Sequence, residues 1–73
     1  MKTEIEFMNR NGEKKIYIGK TMKASIDFVT AQMHEGNTKV ASIVNNEGKG
    51  WFMEYKDGKI TKDRIWFSVR IPN

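Results

Sequence analysis

The residues whose spacing comes nearest to a chemical motif are Gly19-Lys20-Thr21, which follow a predicted strand and precede a predicted helix. A phosphate-binding loop needs a further glycine five residues before Gly19, because its backbone N–H groups must surround the phosphate. Lys14 occupies that position, and 73 residues are too few for the parallel sheet of a nucleotide-binding domain. We therefore interpret Gly19 as a glycine that lets the chain turn into its helix.

The other groups that could do chemistry are isolated. His34 is the only histidine, and the chain has no cysteine. A zinc site needs three or four ligands, and Glu35 points about 100° away from His34 around a helix. The serines lack a base that would complete a catalytic triad, and carboxylates such as Glu4 and Glu6 are expected to be solvated. The sequence thus predicts a protein that is not an enzyme and that binds no metal and no cofactor.

Length and composition predict a single domain over residues 1–73. The chain is 38% hydrophobic and 30% charged, which is typical of a globular rather than a disordered protein. Its longest apolar runs, such as Ile65-Trp66-Phe67, are far shorter than the about 20 residues that cross a membrane. The lack of cysteine and of an apolar N-terminal signal favours the cytoplasm. The net charge of +4 favours anionic partners in general.

The elements that would position a binding surface begin with a hairpin. Asn11-Gly12 is typical of a two-residue type I′ turn, because both central residues of that turn need positive φ. Such a turn pairs Phe7 with Ile16 and Ile5 with Ile18. We therefore expect these four side chains on one face of the sheet.

A single helix is predicted over residues 21–35. Apolar residues recur there at spacings of four, three and four, which makes one helical stripe. Thr21 or Ser25 can cap the first turn, and Gly36 fits the left-handed position after the last turn. The stripe consists of Met22, Ile26, Val29 and Met33, with Phe28 near its edge.

After Gly36 the apolar pattern returns to a period of two, which predicts three more strands at residues 40–44, 51–55 and 60–71. A loop at residues 45–50 and a hairpin turn at Asp57-Gly58 connect them. The last strand changes phase, so we expect a bulge or a short break near residues 62–64. The predicted fold is α+β, with element order β-β-α-β-β-β and one helix packed on one face of an antiparallel sheet.

One helix leaves the other face of such a sheet open, and alternation directs half of each strand's side chains there. The doublets Trp51-Phe52 and Trp66-Phe67 each send one ring outward, so we predict an aromatic patch of Phe52 and Trp66 rimmed by positive charge. The covered face is expected to hold Ile5, Phe7, Ile16, Ile18, Ile43, Trp51, Met53, Tyr55, Ile65, Phe67 and Val69. The open face is expected to hold Ser68 and the partner-binding residues Met8, Lys15, Tyr17, Phe52, Trp66 and Arg70.

Three interpretations of the open face remain. Its rings can simply shield a small sheet. They can bind a protein partner or a second copy of the chain, because Trp, Tyr and Arg are enriched as anchors at interfaces. They can also stack on unpaired bases while cations contact phosphates. We favour a stoichiometric protein-binding domain, with a single-stranded nucleic-acid binding module as the alternative. The candidate phosphate-contacting residues are Lys56, Lys59, Lys62 and Arg64.

The size of the chain and its strand–helix–strand rhythm resemble those of small phage and mobile-element proteins. Many such proteins bind and inhibit a host factor. The resemblance implies an inhibitor or regulator, and it rests on size and rhythm rather than on particular residues.

Overall fold

The computed structural model describes residues 2–66, in which one helix packs on one side of a five-stranded antiparallel sheet. The spatial order of the strands is β2-β1-β3-β4-β5. The predicted α+β class and element order are confirmed. The elements are β1 (Thr3–Asn9), β2 (Lys14–Gly19), α1 (Met22–His34), β3 (Thr38–Asn45), β4 (Lys49–Lys56) and β5 (Lys59–Trp66).

The β1–β2 hairpin closes on a three-residue loop rather than the predicted two-residue turn. Asn9 Oδ1 accepts hydrogen bonds from the backbone N–H groups of Asn11 and Glu13, both at 2.9 Å. The Asn9 N–H donates to the Glu13 carbonyl at 2.8 Å, and Gly12 takes the left-handed conformation at φ 82°. This is the arrangement of a turn followed by a glycine bulge. The side chain of Asn9 therefore decides the loop length.

The longer loop shifts the register of β2 by one residue, which exchanges its two faces. Tyr17 lies opposite Ile5 and Lys15 lies opposite Phe7, so both are on the helix side. Ile16 and Ile18 lie on the open side, where they are 55% and 65% exposed. The predicted placement of these four β2 residues was therefore wrong.

The β3–β4 turn repeats the same local structure. Asn45 Oδ1 accepts hydrogen bonds from the backbone N–H groups of Glu47 at 2.8 Å and Lys49 at 3.1 Å, and Gly48 has φ 81°. Both turns thus use an asparagine followed three residues later by a left-handed glycine. The β4–β5 turn is different: Asp57 and Gly58 both have positive φ, which confirms the predicted two-residue turn.

The helix begins and ends close to where the sequence predicts. Thr21 is the N-cap, and its hydroxyl accepts a hydrogen bond from the Ala24 N–H at 3.1 Å. Gly36 follows the last turn with φ 80°. The buried core contains Ile5, Phe7, Val29, Met33, Ala41, Ile43 and Met53, against which Met22, Ile26, Phe28, Trp51, Tyr55 and Ile60 pack.

Gly19 is explained by a close approach between the first turn of the helix and β1. The Thr3 hydroxyl is hydrogen-bonded to the Ser25 hydroxyl, which donates to the Thr21 carbonyl at 2.8 Å. Thr3 and Ser25 are both buried. A Cβ atom at position 19 would overlap the Ser25 hydroxyl. The absence of a side chain, rather than a positive φ, therefore accounts for glycine at this position.

The helix lies mainly over β2, β1 and β3. Because a helix is about 10 Å wide and strands are about 4.8 Å apart, one helix covers only two or three strands. Lys62 and Arg64 can therefore occupy helix-side positions of β5, where they lie 4.7 and 4.9 Å from the centre of the Trp51 ring. As a result β5 keeps one register from Lys59 to Trp66.

That register makes two predictions wrong. No bulge or break interrupts β5 at residues 62–64. Ile65, which was expected in the core, lies on the open side, because its neighbour Arg64 faces Trp51 on the helix side. The predicted core positions Phe67 and Val69 lie outside the described residues.

Candidate functional site

The open side of the sheet contains a hollow of about 420 Å³ near its middle. Its apolar wall is formed by Met8 on β1, Val40 on β3 and Phe52 on β4, which are 52%, 37% and 37% exposed. We call this feature the central hollow. Its lining residues are Glu6, Phe7, Met8, Lys14, Val40, Ala41, Ser42 and Phe52.

Strand register brings the wall of the central hollow together. Ser42 lies opposite Glu6 on β1 and opposite Phe52 on β4, so it forms the floor between them. The β1–β3 register shifts between Phe7 and Asn9, and β3 has one extra residue there. The buried Thr38 hydroxyl fixes this irregularity, since it donates to the Met8 carbonyl at 2.7 Å.

The charges around the central hollow are mixed rather than positive. Glu6 forms an ion pair with Lys14 at 3.2 Å. Glu54 and Asp63 border Phe52 and have no ion-pair partner within residues 2–66. The positive rim that the sequence predicts is therefore absent from the described part of this face. Its carboxylates are Glu4, Glu6, Glu54 and Asp63, and its lysines include Lys2, Lys14, Lys56 and Lys59.

The predicted partner-binding residues separate into three groups. Met8 and Phe52 lie on the open face, as predicted. Tyr17 and Lys15 lie on the helix side, where the Tyr17 ring is 5.5 Å from the Phe7 ring and 5.1 Å from the Phe28 ring. The side chain of Trp66 and the whole of Arg70 lie outside what the structure describes.

The predicted contact between Phe52 and Trp66 does not agree with the backbone register. Phe52 lies opposite Asp63, whereas the backbone of Trp66 lies opposite Lys49, three positions along β4. The two residues are on neighbouring strands but are not cross-strand neighbours. In the described residues, Val40 and Met8 rather than a second aromatic ring complete the apolar wall beside Phe52.

The four candidate phosphate-contacting residues lie on opposite sides of the sheet. Lys56 and Lys59 lie opposite each other beside the β4–β5 turn and share the side of Phe52. Lys62 and Arg64 lie on the helix side against the Trp51 ring. The sheet therefore separates these cations into two pairs.

The exposed apolar surface of the outer strand β2 was not predicted from the sequence. Ile16 and Ile18 were expected in the core, and only the loop length places them outside. The signal that could have found them is the repeated spacing of Asn9 with Gly12 and of Asn45 with Gly48.

The loop that sets this register also carries a carboxyl group with a lowered pKa, that of Glu13. The Asn9 side-chain amide donates to Glu13 Oε1 at 3.1 Å, and Lys15 Nζ lies 3.7 Å from the same atom. The hydrogen bond from Asn9 and then the charge of Lys15 lower the pKa of Glu13. A lowered pKa favours the charged, folded turn at neutral pH, and this preference is lost only as the pH falls through that pKa.

Within residues 2–66 no group of three or more histidine, aspartate or glutamate side chains is placed to hold a metal ion. In the same residues, no helix is long and apolar enough to cross a membrane. Comparisons with protein-family models, with curated proteins and with solved structures give no match.

Proposed function

We propose that this domain is a non-enzymatic protein-binding module whose central hollow receives an apolar side chain of a protein partner. The observation that carries the proposal is the joint exposure of Met8, Val40 and Phe52 around one hollow. A domain of this size buries only about 60% of its unfolded surface, so it has few apolar side chains to spare. Apolar residues that remain exposed together mark an interaction site more often than residues exposed singly.

The charges beside the hollow indicate what kind of protein would bind. Glu54 and Asp63 flank Phe52 and have no ion-pair partner within residues 2–66. Opposite charge at the rim of an interface selects the partner and its orientation. The partner we propose therefore presents an aliphatic or aromatic side chain next to lysine or arginine. Cytoplasmic location is part of this proposal and rests on the sequence.

The charge distribution favours a protein over single-stranded nucleic acid. A nucleic-acid groove needs cations that follow one phosphate backbone beside the stacking rings. Here the cations of β4 and β5 are divided between the two sides of the sheet, and the ring of Phe52 is bordered by carboxylates. We therefore propose a protein partner, and the binding experiment below also tests for single-stranded nucleic acid.

A library of random twelve-residue peptides displayed on phage is a suitable probe, because it presents all side-chain chemistries at once. We expect the enriched peptides to carry an apolar anchor within a few residues of lysine or arginine. Replacing Phe52 by serine should weaken their binding by at least about tenfold, as expected for an anchor contact worth about 1.4 kcal/mol or more. Fluorescence polarisation of synthetic peptides measures this change.

Thr61→Ala is the matched control, because Thr61 is exposed on the same face but outside the central hollow. It should leave peptide affinity unchanged. The proposal is wrong if no peptide is enriched, or if Phe52→Ser and Thr61→Ala bind equally well. A single-stranded oligonucleotide that binds with a log–log salt slope of about −0.7 per phosphate contact would support the alternative instead.

A further inference from the structure

The outer strand β2 presents apolar residues on both of its sides. Among the described residues only β1 pairs with it. Ile16, Tyr17 and Ile18 follow one another and are each at least 41% exposed. Sheets usually protect an edge with charged residues, proline or a bulge, because free backbone groups recruit another strand. None of these features occurs from Ile16 to Gly19, because the two lysines of β2, Lys14 and Lys15, lie at its start beside the turn.

The strand at the other end of the sheet is built differently. β5 carries four charged side chains in eight residues, and they alternate between its two sides. Such charges oppose the addition of another strand. If another strand adds to this sheet, we therefore expect it to pair with β2 and not with β5. The charged residues of β5 are Lys59, Lys62, Asp63 and Arg64.

The hydrogen bonds of the hairpin show which backbone groups of β2 point outward. Asn9 and Glu13 are a hydrogen-bonded pair. Hydrogen-bonded and non-hydrogen-bonded pairs alternate along antiparallel strands, so Lys15 and Tyr17 also bond to β1. The N–H and C=O groups of Ile16 and Ile18 therefore face away from the sheet.

We infer that β2 pairs with β2 of a second copy of this chain and forms one continuous sheet. A two-fold axis centred on Tyr17 and perpendicular to the sheet makes the pair antiparallel. It sets Ile16 opposite Ile18 of the second copy, and each such pair exchanges two backbone hydrogen bonds through groups that already point outward. Four isoleucine side chains then form one stripe on the open side, while the two Tyr17 rings meet on the helix side.

A second copy of this chain can supply hydrogen-bond partners for the outward backbone groups of β2, so no other protein is needed. The central residues Ile16, Tyr17 and Ile18 are apolar on both sides of the strand, and the two-fold axis places them opposite one another. At the ends of the junction, Lys14 falls opposite Lys20 of the second copy, and like charges at this spacing repel. Salt screens that repulsion, so the dimer is expected to become tighter as salt concentration rises.

Sedimentation equilibrium of the intact chain tests the inference. A junction of two short strands is smaller than the standard interface of about 1,600 Å², so a weak dimer is expected and the measurement should extend from about 10 µM to about 1 mM. The average mass should rise from that of one chain toward that of two, and more strongly at high salt. In the same range, amide exchange of Ile16 and Ile18 should slow as concentration rises.

Ile18→Lys should leave the protein folded, because this side chain is exposed, and should keep it monomeric at about 1 mM, because edge lysines block strand pairing. Thr61→Lys on β5 is the matched control and should dimerise like the unmodified chain. A monomer throughout the concentration range, or a dimer that Ile18→Lys does not weaken, would overturn the inference. The Phe52→Ser variant should still dimerise, because Phe52 is not on β2. A failure of dimerisation through β2 can therefore be told apart from a failure of the central hollow to bind peptides.

Discussion

Replacing Met33 by alanine is expected to lower the free energy of unfolding by about 2–5 kcal/mol. Met33 is fully buried on the inner side of α1, where the helix meets the sheet core. Its removal leaves a cavity that the surrounding strands fill only in part. A domain of this size rarely has more than about 3–5 kcal/mol of stability, so a large part of the population should be unfolded. Urea denaturation followed by circular dichroism measures the effect.

Met8→Ala is the matched control for this experiment. Met8 is the same residue type but is about half exposed on the open face. Its truncation should change the free energy of unfolding by less than about 0.5 kcal/mol. Similar losses for both variants would mean that the helix does not cover the side of the sheet described above.

Gly50→Ala is expected to be the second most destabilising change, with a loss of about 3 kcal/mol, because overpacking against backbone cannot be relieved by a side-chain rotation. A Cβ atom at this position would overlap the backbone carbonyl of Ile43 on the neighbouring strand. The β3–β4 pair would have to separate there, beside the fully buried side chain of Ile43. Thermal denaturation should show a lower and broader transition.

Gly12→Ala separates this steric effect from a purely conformational one. Gly12 has φ 82° and open space where a Cβ would lie. Alanine there should cost about 1–2 kcal/mol, the usual penalty of a left-handed conformation. If Gly50→Ala were the milder of the two variants, the close approach between β3 and β4 would not exist in solution.

The helix and the order of elements could be predicted because both follow from local patterns. The stripe that includes Val29 and Met33, the cap at Thr21 and the glycine at position 36 each act within one or two turns. The turn at Asp57-Gly58 is equally local, and its two positive φ values agree with the prediction. These features need no knowledge of distant residues.

The faces of the strands could not be predicted with the same success, because one residue of register reverses a whole strand. Asn11-Gly12 by itself predicts a two-residue turn, yet the Asn9 side chain closes a longer loop by bonding to Asn11 and Glu13. The prediction of which β5 side chains face the helix was wrong for another reason. Lys62 and Arg64 can lie on the helix side because the helix does not cover β5 and because both cations contact the Trp51 ring.

The candidate site was predicted in part. The exposure of Phe52 and Met8 follows from alternation alone and is confirmed. The positions of Val40 and Asp63 beside Phe52 depend on the register between β3, β4 and β5, which sequence patterns do not define. Strand register therefore decides which side chains are exposed, above all in β2, where it places Ile16 and Ile18 in solvent.

Nuclear Overhauser effects between α-protons measure that register directly, because α-protons of non-hydrogen-bonded pairs in antiparallel strands lie closest together. We expect strong effects between Glu6 and Ile16 and between Glu4 and Ile18, as their backbone pairing requires. Strong effects between Phe7 and Ile16 and between Ile5 and Ile18 would instead show the two-residue turn. They would place both isoleucines on the helix side and contradict the exposure of Ile16 and Ile18 on β2.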